Sequence, residues 1–263
     1  MPNELNGLKT TTVEVNDHPC RVWSKGQGPK LGFLAGLGGL PRWLPVLDKL
    51  AETRTVIAPS LPGYPGATGH NVLDTHLDWV LAVRQLVDKA GLTGCDLVGA
   101  SVGGAFAAEM AAIFPGYVRK LVLIAPFGLF DEKEPAADPW AQRRDNVASL
   151  MCADAGKWTA LVTAPEGANS IEWPIEMTRA SEAAARAFWP LGNTGLEKRL
   201  GLIQAPTLIL WGDRDAVLPP SYAGKFAGRL NGSTRVETVA DAGHLAYLDQ
   251  PDRVAQAALS HLV

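Results

Sequence analysis

Short uninterrupted apolar runs alternate along this chain with longer stretches in which apolar residues recur every three or four positions. Leu31-Gly32-Phe33-Leu34-Ala35, Thr55-Val56-Ile57-Ala58-Pro59, Asp96-Leu97-Val98, Lys120-Leu121-Val122-Leu123-Ile124-Ala125 and Thr207-Leu208-Ile209-Leu210-Trp211 have strand length and no wet face. They predict buried strands of a parallel sheet, with a last strand near 236–239. Helices are predicted over 42–52 and over 102–114, the latter stopped by Pro115-Gly116. A third runs through Leu73, Leu77, Val80, Leu81, Leu86 and Val87 to a stop at Gly91, and a fourth covers 251–262. Ahead of them, Thr12-Val13-Glu14-Val15 and Cys20-Arg21-Val22-Trp23 flank the turn-forming cluster Asn16-Asp17-His18-Pro19, which predicts a hairpin over 11–23.

Strands that alternate with helices define an α/β chain. The expected architecture is a mostly parallel central sheet with helices on both faces and an antiparallel hairpin at one edge. Residues 127–200 break the alternation. They hold no convincing buried strand, read as several short helices, and contain Trp140, Trp158, Trp173 and Trp189. They are expected to form a helical cap inserted into a core made of 1–126 and 201–263, with Pro126, Pro135 and Pro139 where the chain leaves the sheet. No internal repeat or low-complexity segment is evident.

Composition narrows the function classes. At 263 residues, 47% hydrophobic and 19% charged, the chain is long enough for a sizeable core. A net charge of −3 gives no electrostatic case for nucleic acid or an anionic membrane as partner. Cys20, Cys95 and Cys152 are odd in number and widely spaced, which points away from a disulfide framework or metal cluster and toward a reducing compartment. The first residues lack a basic start and an apolar stretch, and no run reaches the ~20 apolar residues of a membrane span. The expected location is the cytoplasm, and the expected partner a small-molecule substrate. The oligomeric state is left open, a homodimer included.

The chemistry centres on Gly99-Ala100-Ser101-Val102-Gly103, which lies directly between a predicted strand and a helix. Five letters alone are a weak signal in a chain with 27 glycines. The context strengthens it, because a sharp strand-to-helix turn holds a strained serine at the top of a sheet, beside a helix N-terminus that favours negative charge. A serine hydroxyl needs a base, and the base needs an orienting group. Of the five histidines, His18, His70, His76, His244 and His261, only His244 follows a predicted strand end, in Asp241-Ala242-Gly243-His244-Leu245. The acid is expected in Trp211-Gly212-Asp213-Arg214-Asp215. Asp215 is favoured because it stands further beyond the strand end; Asp213 reads as a loop cap or as a partner of Arg214, and Asp241 is a weaker rival.

The order Ser101, Asp215, His244 on this alternation resembles the serine-nucleophile branch of the α/β-hydrolase superfamily, over nearly the whole chain outside 127–200. The resemblance implies a Ser-His-Asp triad, an acyl-enzyme and no metal or organic cofactor. It implies an oxyanion site built from the backbone N–H groups of Val102 and Leu37, with Ala35-Gly36 where the family often has His-Gly. Phe127 follows a strand end and Val217 follows the acid; with Trp140 and Trp189 they are the expected lining of an apolar substrate pocket. The expected activity is that of a carboxylesterase acting on a small, largely apolar substrate. A meta-cleavage C–C hydrolase, a lactonase or a perhydrolase would share the triad. Leu245 stands where the C–C hydrolases carry a tryptophan. A ligand receptor that retains a slow triad is the non-enzyme alternative. Serine at 101 disfavours dehalogenases and epoxide hydrolases, whose nucleophile is an aspartate.

Overall fold

Asn16 and Asp17 take left-handed backbone angles, φ +49° and +62°, and turn β1 (Lys9–Val15) back onto β2 (His18–Lys25). His18 and Pro19, expected in the turn, lie inside β2. β2 also pairs antiparallel with β4 (Thr55–Pro59). From β4 onward each pairing is parallel, through β3 (Lys30–Leu34), β5 (Cys95–Ala100), β6 (Val118–Ile124), β7 (Thr207–Gly212) and β8 (Thr234–Val239). The computed structural model describes residues 7–192 and 194–263, and within them the eight strands form one sheet in the order β1-β2-β4-β3-β5-β6-β7-β8.

Burial explains which strands read clearly in the sequence. β3, β5 and β7 are buried almost throughout, as parallel strands covered on both faces should be. β8 is an edge strand with exposed Arg235 and Val236, so only its last residues show an apolar pattern. Helices cover both faces of the sheet. α1 (Pro45–Ala51) packs with α9 (Pro251–Leu262), and α2 (His76–Lys89) with α3 (Ser101–Ile113). α7 (Tyr222–Ala227) and α8 (Ala246–Asp249) are short helices without an expected counterpart.

α2 corrects the expected apolar face. It starts at a capping box, in which Thr75 accepts the Asp78 N–H and Asp78 accepts the Thr75 N–H. The helix then buries Trp79, Val80, Ala82, Val83, Leu86 and Val87, while Leu77 and Leu81 point outward at 59% and 45% exposure. Trp79 stacks on Phe106 of α3, and that large contact fixes the rotation of the helix.

Between β6 and β7 stand α4 (Arg144–Met151), α5 (Ala155–Val162) and α6 (Glu172–Phe188), with no strand among the described residues of 127–200. α6, at 17 residues, is longer than expected. A buried ion cluster ties this segment to α3. Glu109, fully buried in α3, accepts Arg199 Nε at 2.7 Å and Nη2 at 2.5 Å, and His76 Nε2 lies at 3.0 Å. Burial works to raise the Glu109 carboxyl, but the hydrogen bonds and charges of Arg199 and His76 outweigh it and hold the group below its ordinary value.

The register of α2 is open to a direct check. Leu86→Ala, at a fully buried position, should destabilise the protein by about 2–5 kcal/mol. Leu77→Ala should change stability by no more than about 0.5 kcal/mol. Urea unfolding of both variants reads the difference, and equal effects would contradict this register.

Candidate active site

β5 passes into α3 without a loop. Ala100 is the last strand residue, and Ser101 opens the helix with φ at +53°, a left-handed angle that costs a non-glycine residue of order 1–3 kcal/mol. Close packing enforces the turn. A Cβ at Gly99 would sit 2.6 Å from the Ala107 Cβ, and one at Gly104 would sit 3.0 Å from the Gly99 carbonyl oxygen. The Ser101 carbonyl accepts the Phe127 N–H at 3.1 Å, which fastens the turn to the end of β6. The side chain is thereby held in place, fully buried.

The other two side chains arrive from β7 and β8. Asp215 follows β7, and its Oδ1 accepts the N–H groups of Val217 and Leu218, both at 2.9 Å. With that oxygen fixed, Oδ2 lies 2.9 Å from His244 Nδ1. His244 Nε2 lies 2.8 Å from Ser101 Oγ. The acceptor-only carboxylate requires the Nδ1–H tautomer, which leaves Nε2 to accept the serine proton. The histidine loop reaches this position because Gly212 lets the Ala242 and Gly243 carbonyls pass over β7, where a Cβ would overlap them. The rival carboxylates are engaged elsewhere. Asp213 accepts the Ala242 N–H at 3.2 Å, and Asp241 pairs with Arg214. Asp213 is thus a loop cap, and Arg214 pairs with Asp241 rather than with Asp213.

The loop after β3 runs alongside the serine. A Cβ at Gly36 would lie 2.9 Å from the Ser101 Cβ and 2.9 Å from Leu245 Cδ2. Leu37 is the residue after this contact, and Val102 lies in the first turn of α3, where backbone N–H groups have no intrahelical partner. Buried thiols offer no competing nucleophile here. Desolvation pushes Cys20 up to about 12 and Cys152 higher still.

The four expected pocket residues separate. Phe127 is buried with its ring centroid 5.3 Å from that of His244, and Trp140 stacks on Phe127 at 6.4 Å. Val217 is buried, and its backbone serves Asp215. Trp189 is 58% exposed and donates its indole N–H to Asp138 at 3.0 Å, so it faces solvent. A cavity of about 230 Å³ touches Leu37, Gly38, Trp140, Trp158, Met177 and Ser181. Sequence reasoning missed Met177, which carries no signal beyond being apolar in a helix.

Asp249 was likewise invisible in the sequence. Its Oδ2 accepts the N–H of Gly243, beside His244, at 2.8 Å and the N–H of Ala153 at 2.8 Å. Its Oδ1 accepts the Asp154 N–H at 3.1 Å. Together with the Leu245 N–H on the Met151 carbonyl at 2.8 Å, these bonds join the histidine loop to the α4–α5 junction. The approach is so close that a Cβ at Gly243 would sit 2.7 Å from the Ala153 nitrogen.

A strained serine between strand and helix thus meets a histidine and an aspartate that follow later strands. Residues 32–251 match the model of the alpha/beta hydrolase fold. The chain belongs to that family. It is 29% identical over 251 residues, 90% of its length, to the dihydrolipoyllysine-residue acetyltransferase component of the acetoin cleaving system of Cupriavidus necator, and spans 65% of that protein. It is 26% identical over 205 residues to 2-hydroxy-6-oxo-6-phenylhexa-2,4-dienoate hydrolase of Comamonas testosteroni, covering 69% of this chain and 67% of that protein. The solved structure of a membrane phospholipase A, described as a bacterial virulence factor, superposes with a TM-score of 0.77 at 25% identity, covering 97% of this chain and 86% of that one. Among the described residues no helix is long and apolar enough to cross a membrane, and no group of three or more His, Cys, Asp or Glu side chains could hold a metal ion.

The Asp249 clamp yields a prediction. Asp249→Ala strips three backbone donors of their acceptor and should cost about 1–3 kcal/mol. Hydrogen exchange at Ala153, Asp154 and Gly243 should accelerate together. Unchanged exchange at Gly243 would show that the carboxylate does not hold the histidine loop.

Proposed function

We propose that this protein is a serine hydrolase that cleaves a carboxylic ester, or a similar acyl bond, of a small and largely apolar substrate. The observation that carries the reading is the unbroken chain of two buried hydrogen bonds, Ser101 Oγ to His244 Nε2 at 2.8 Å and His244 Nδ1 to Asp215 Oδ2 at 2.9 Å. In this reading Ser101 Oγ attacks the substrate carbonyl carbon while His244 takes its proton. Asp215 keeps the imidazole oriented and stabilises the imidazolium. The N–H groups of Leu37 and Val102 receive the negative charge that develops on the carbonyl oxygen. Collapse of the tetrahedral intermediate expels the alcohol, which takes the proton from His244. A water activated by the same histidine then releases the acid and restores Ser101. Residues 127–200 serve as a helical cap on a core of 1–126 and 201–263.

A second reading, hydrolysis of a C–C bond next to a ketone, has the similarity to the Comamonas enzyme in its favour. A vinylogous 1,5-diketone turned over faster than any ester would establish it in place of the first.

Ser101→Ala should lower turnover of 4-nitrophenyl butyrate by about 10⁴–10⁶-fold. It should also abolish the initial burst of nitrophenol expected from the wild type. Near-full activity in that variant removes the serine from the mechanism. The two neighbouring aspartates should separate in kcat: Asp215→Asn falls by about 10⁴-fold, whereas Asp213→Asn remains within about tenfold of wild type because its carboxylate only caps a loop. The reverse order would assign the orienting role to Asp213.

A further inference from the structure

We propose that α4, α5 and α6 enclose a two-chamber apolar path for an extended, unbranched acyl chain, with Trp158 and Met177 as the partition between the chambers. The proposal rests on the ester reading and names the substrate class within it.

The inner chamber, about 230 Å³, lies against Leu37 and Gly38. A second cavity of about 530 Å³ opens between α4, α5 and α6. The two have Val147, Trp158, Val162, Met177 and Ser181 in common as walls. These side chains come from facing helical stripes. Trp158 and Val162 stand one turn apart on α5; Trp173, Met177 and Ser181 stand at successive turns of α6. Polar atoms of the aromatic walls are turned to the backbone. The Trp173 indole N–H donates to the Val162 carbonyl at 2.7 Å, and that of Trp140 to the Ser181 carbonyl at 3.1 Å. Both hydrogen bonds fix the spacing of the helices and leave the ring faces as apolar lining.

A simple packing gap between short helices would be the alternative. The distribution of side chains on α6 argues against it. One stripe, Ala180, Ala183, Ala184 and Ala187, is buried by close packing on the core. The adjacent stripe turns Trp173 and Met177 to the cavity, with the Trp173 indole N–H tied to the Val162 carbonyl. The inner chamber also borders the loop after β3, with Trp140 and Phe127 between it and His244. The Trp158 ring rests on Gly38, where a Cβ would lie 3.1 Å from Cη2, so the partition stands on the loop that carries the Leu37 N–H. An acyl chain whose carbonyl oxygen is held by that loop meets Trp158 first.

Volume then selects the substrate. The inner chamber of about 230 Å³ is smaller than the roughly 300–1,000 Å³ usual for a small-molecule site. Joined to the outer one, it falls within that range. A short acyl group fits the inner chamber alone, whereas a longer chain must pass between Trp158 and Met177. A methionine suits this position, because its unbranched thioether side chain repacks at little cost. Ile171 and Ile175, which flank the Trp173-Pro174 wall, are exposed at 71% and 58%, while Asp145, Thr159 and Thr178 add polar groups to the lining of the outer chamber.

The test compares 4-nitrophenyl acetate, butyrate, octanoate and dodecanoate. Wild-type kcat/KM should rise from acetate to octanoate. Met177→Trp, which thickens the partition, should lower the octanoate-to-butyrate ratio by about tenfold or more, and Met177→Ala should raise the dodecanoate-to-butyrate ratio. Chain-length ratios equal to wild type in both variants overturn the path. So does a wild type whose kcat/KM falls steadily from acetate onward. Binding of free fatty acids to Ser101→Ala, followed by tryptophan fluorescence, separates the two levels of the argument. Affinity that grows with chain length and is lost in Ser101→Ala/Met177→Trp supports the path even if no ester is hydrolysed, in which case the hydrolase reading alone fails. Ester turnover with no dependence on chain length leaves the hydrolase reading standing and defeats the path.

Discussion

α3 can touch the sheet only because positions 99, 103 and 104 carry no side chains. A Cβ at Gly103 would overlap the carbonyl groups of Leu34 and Ala35 at the end of β3, and one at Gly99 would lie 2.6 Å from the Ala107 Cβ. The N-terminus of the helix is therefore pressed onto β5 and β3 at once. With that distance set, the chain turns within a single residue, and Ser101 absorbs the turn as a positive φ. The same contact brings the first-turn N–H groups of α3 beside the loop at Gly36 and Leu37. The strain at Ser101, of order 1–3 kcal/mol, is offset by a helix in which each residue from Ser101 to Ala112 is buried. Serine angle, helix terminus and neighbouring loop are thus consequences of one steric fact.

What the sequence showed and what it hid follow from the range of each interaction. Short apolar strands and the glycine-bracketed serine are local patterns, and they are where the structure puts them. The mispredicted face of α2 is a local pattern read without its partner. Leu77 and Leu81 fit a helical period as well as Leu86 does, but the contact between Trp79 and Phe106 selects the buried side. Asp213 and Asp215 are alike in type and two residues apart. Only the turn that aims the Val217 and Leu218 N–H groups at Asp215 distinguishes them. Glu109 with Arg199, and Asp249 with Ala153, pair across some ninety residues. Neither pair has a motif, because a carboxylate that meets distant donors needs no particular spacing.

These long-range pairs show how the segment between β6 and β7 is joined to the rest. At its far end Arg199 holds Glu109, whose helix begins at Ser101. At the α4–α5 junction, Met151, Ala153 and Asp154 are bonded to Leu245, which precedes α8, and to Asp249, its last residue. Each such bond contributes about 1 kcal/mol net, but they act on two short stretches that also carry Ser101 and His244. The segment is therefore fixed to the helix that begins at Ser101 and to the loop that carries His244. Between α4, α5 and α6 it encloses cavities rather than close packing.

Ser101 and His244 have no exposed surface in this conformation. The chamber at Leu37 lies one layer of rings away, with Phe127 between the histidine and Trp140. Under the proposed function, a substrate must displace a neighbouring side chain to reach them. Asp215 is held by two backbone N–H groups and the imidazole, and moving it would leave a buried charge without partners, at a cost of about 3–5 kcal/mol. Trp140 is half-buried, stacks on Phe127 and donates its indole N–H to the Ser181 carbonyl, so its ring can shift without stranding a buried charge. Under the proposed function, the hydrogen-bonded chain of Ser101, His244 and Asp215 lies behind an aromatic wall that shields it from water until an apolar substrate replaces the ring contact that Trp140 gives up.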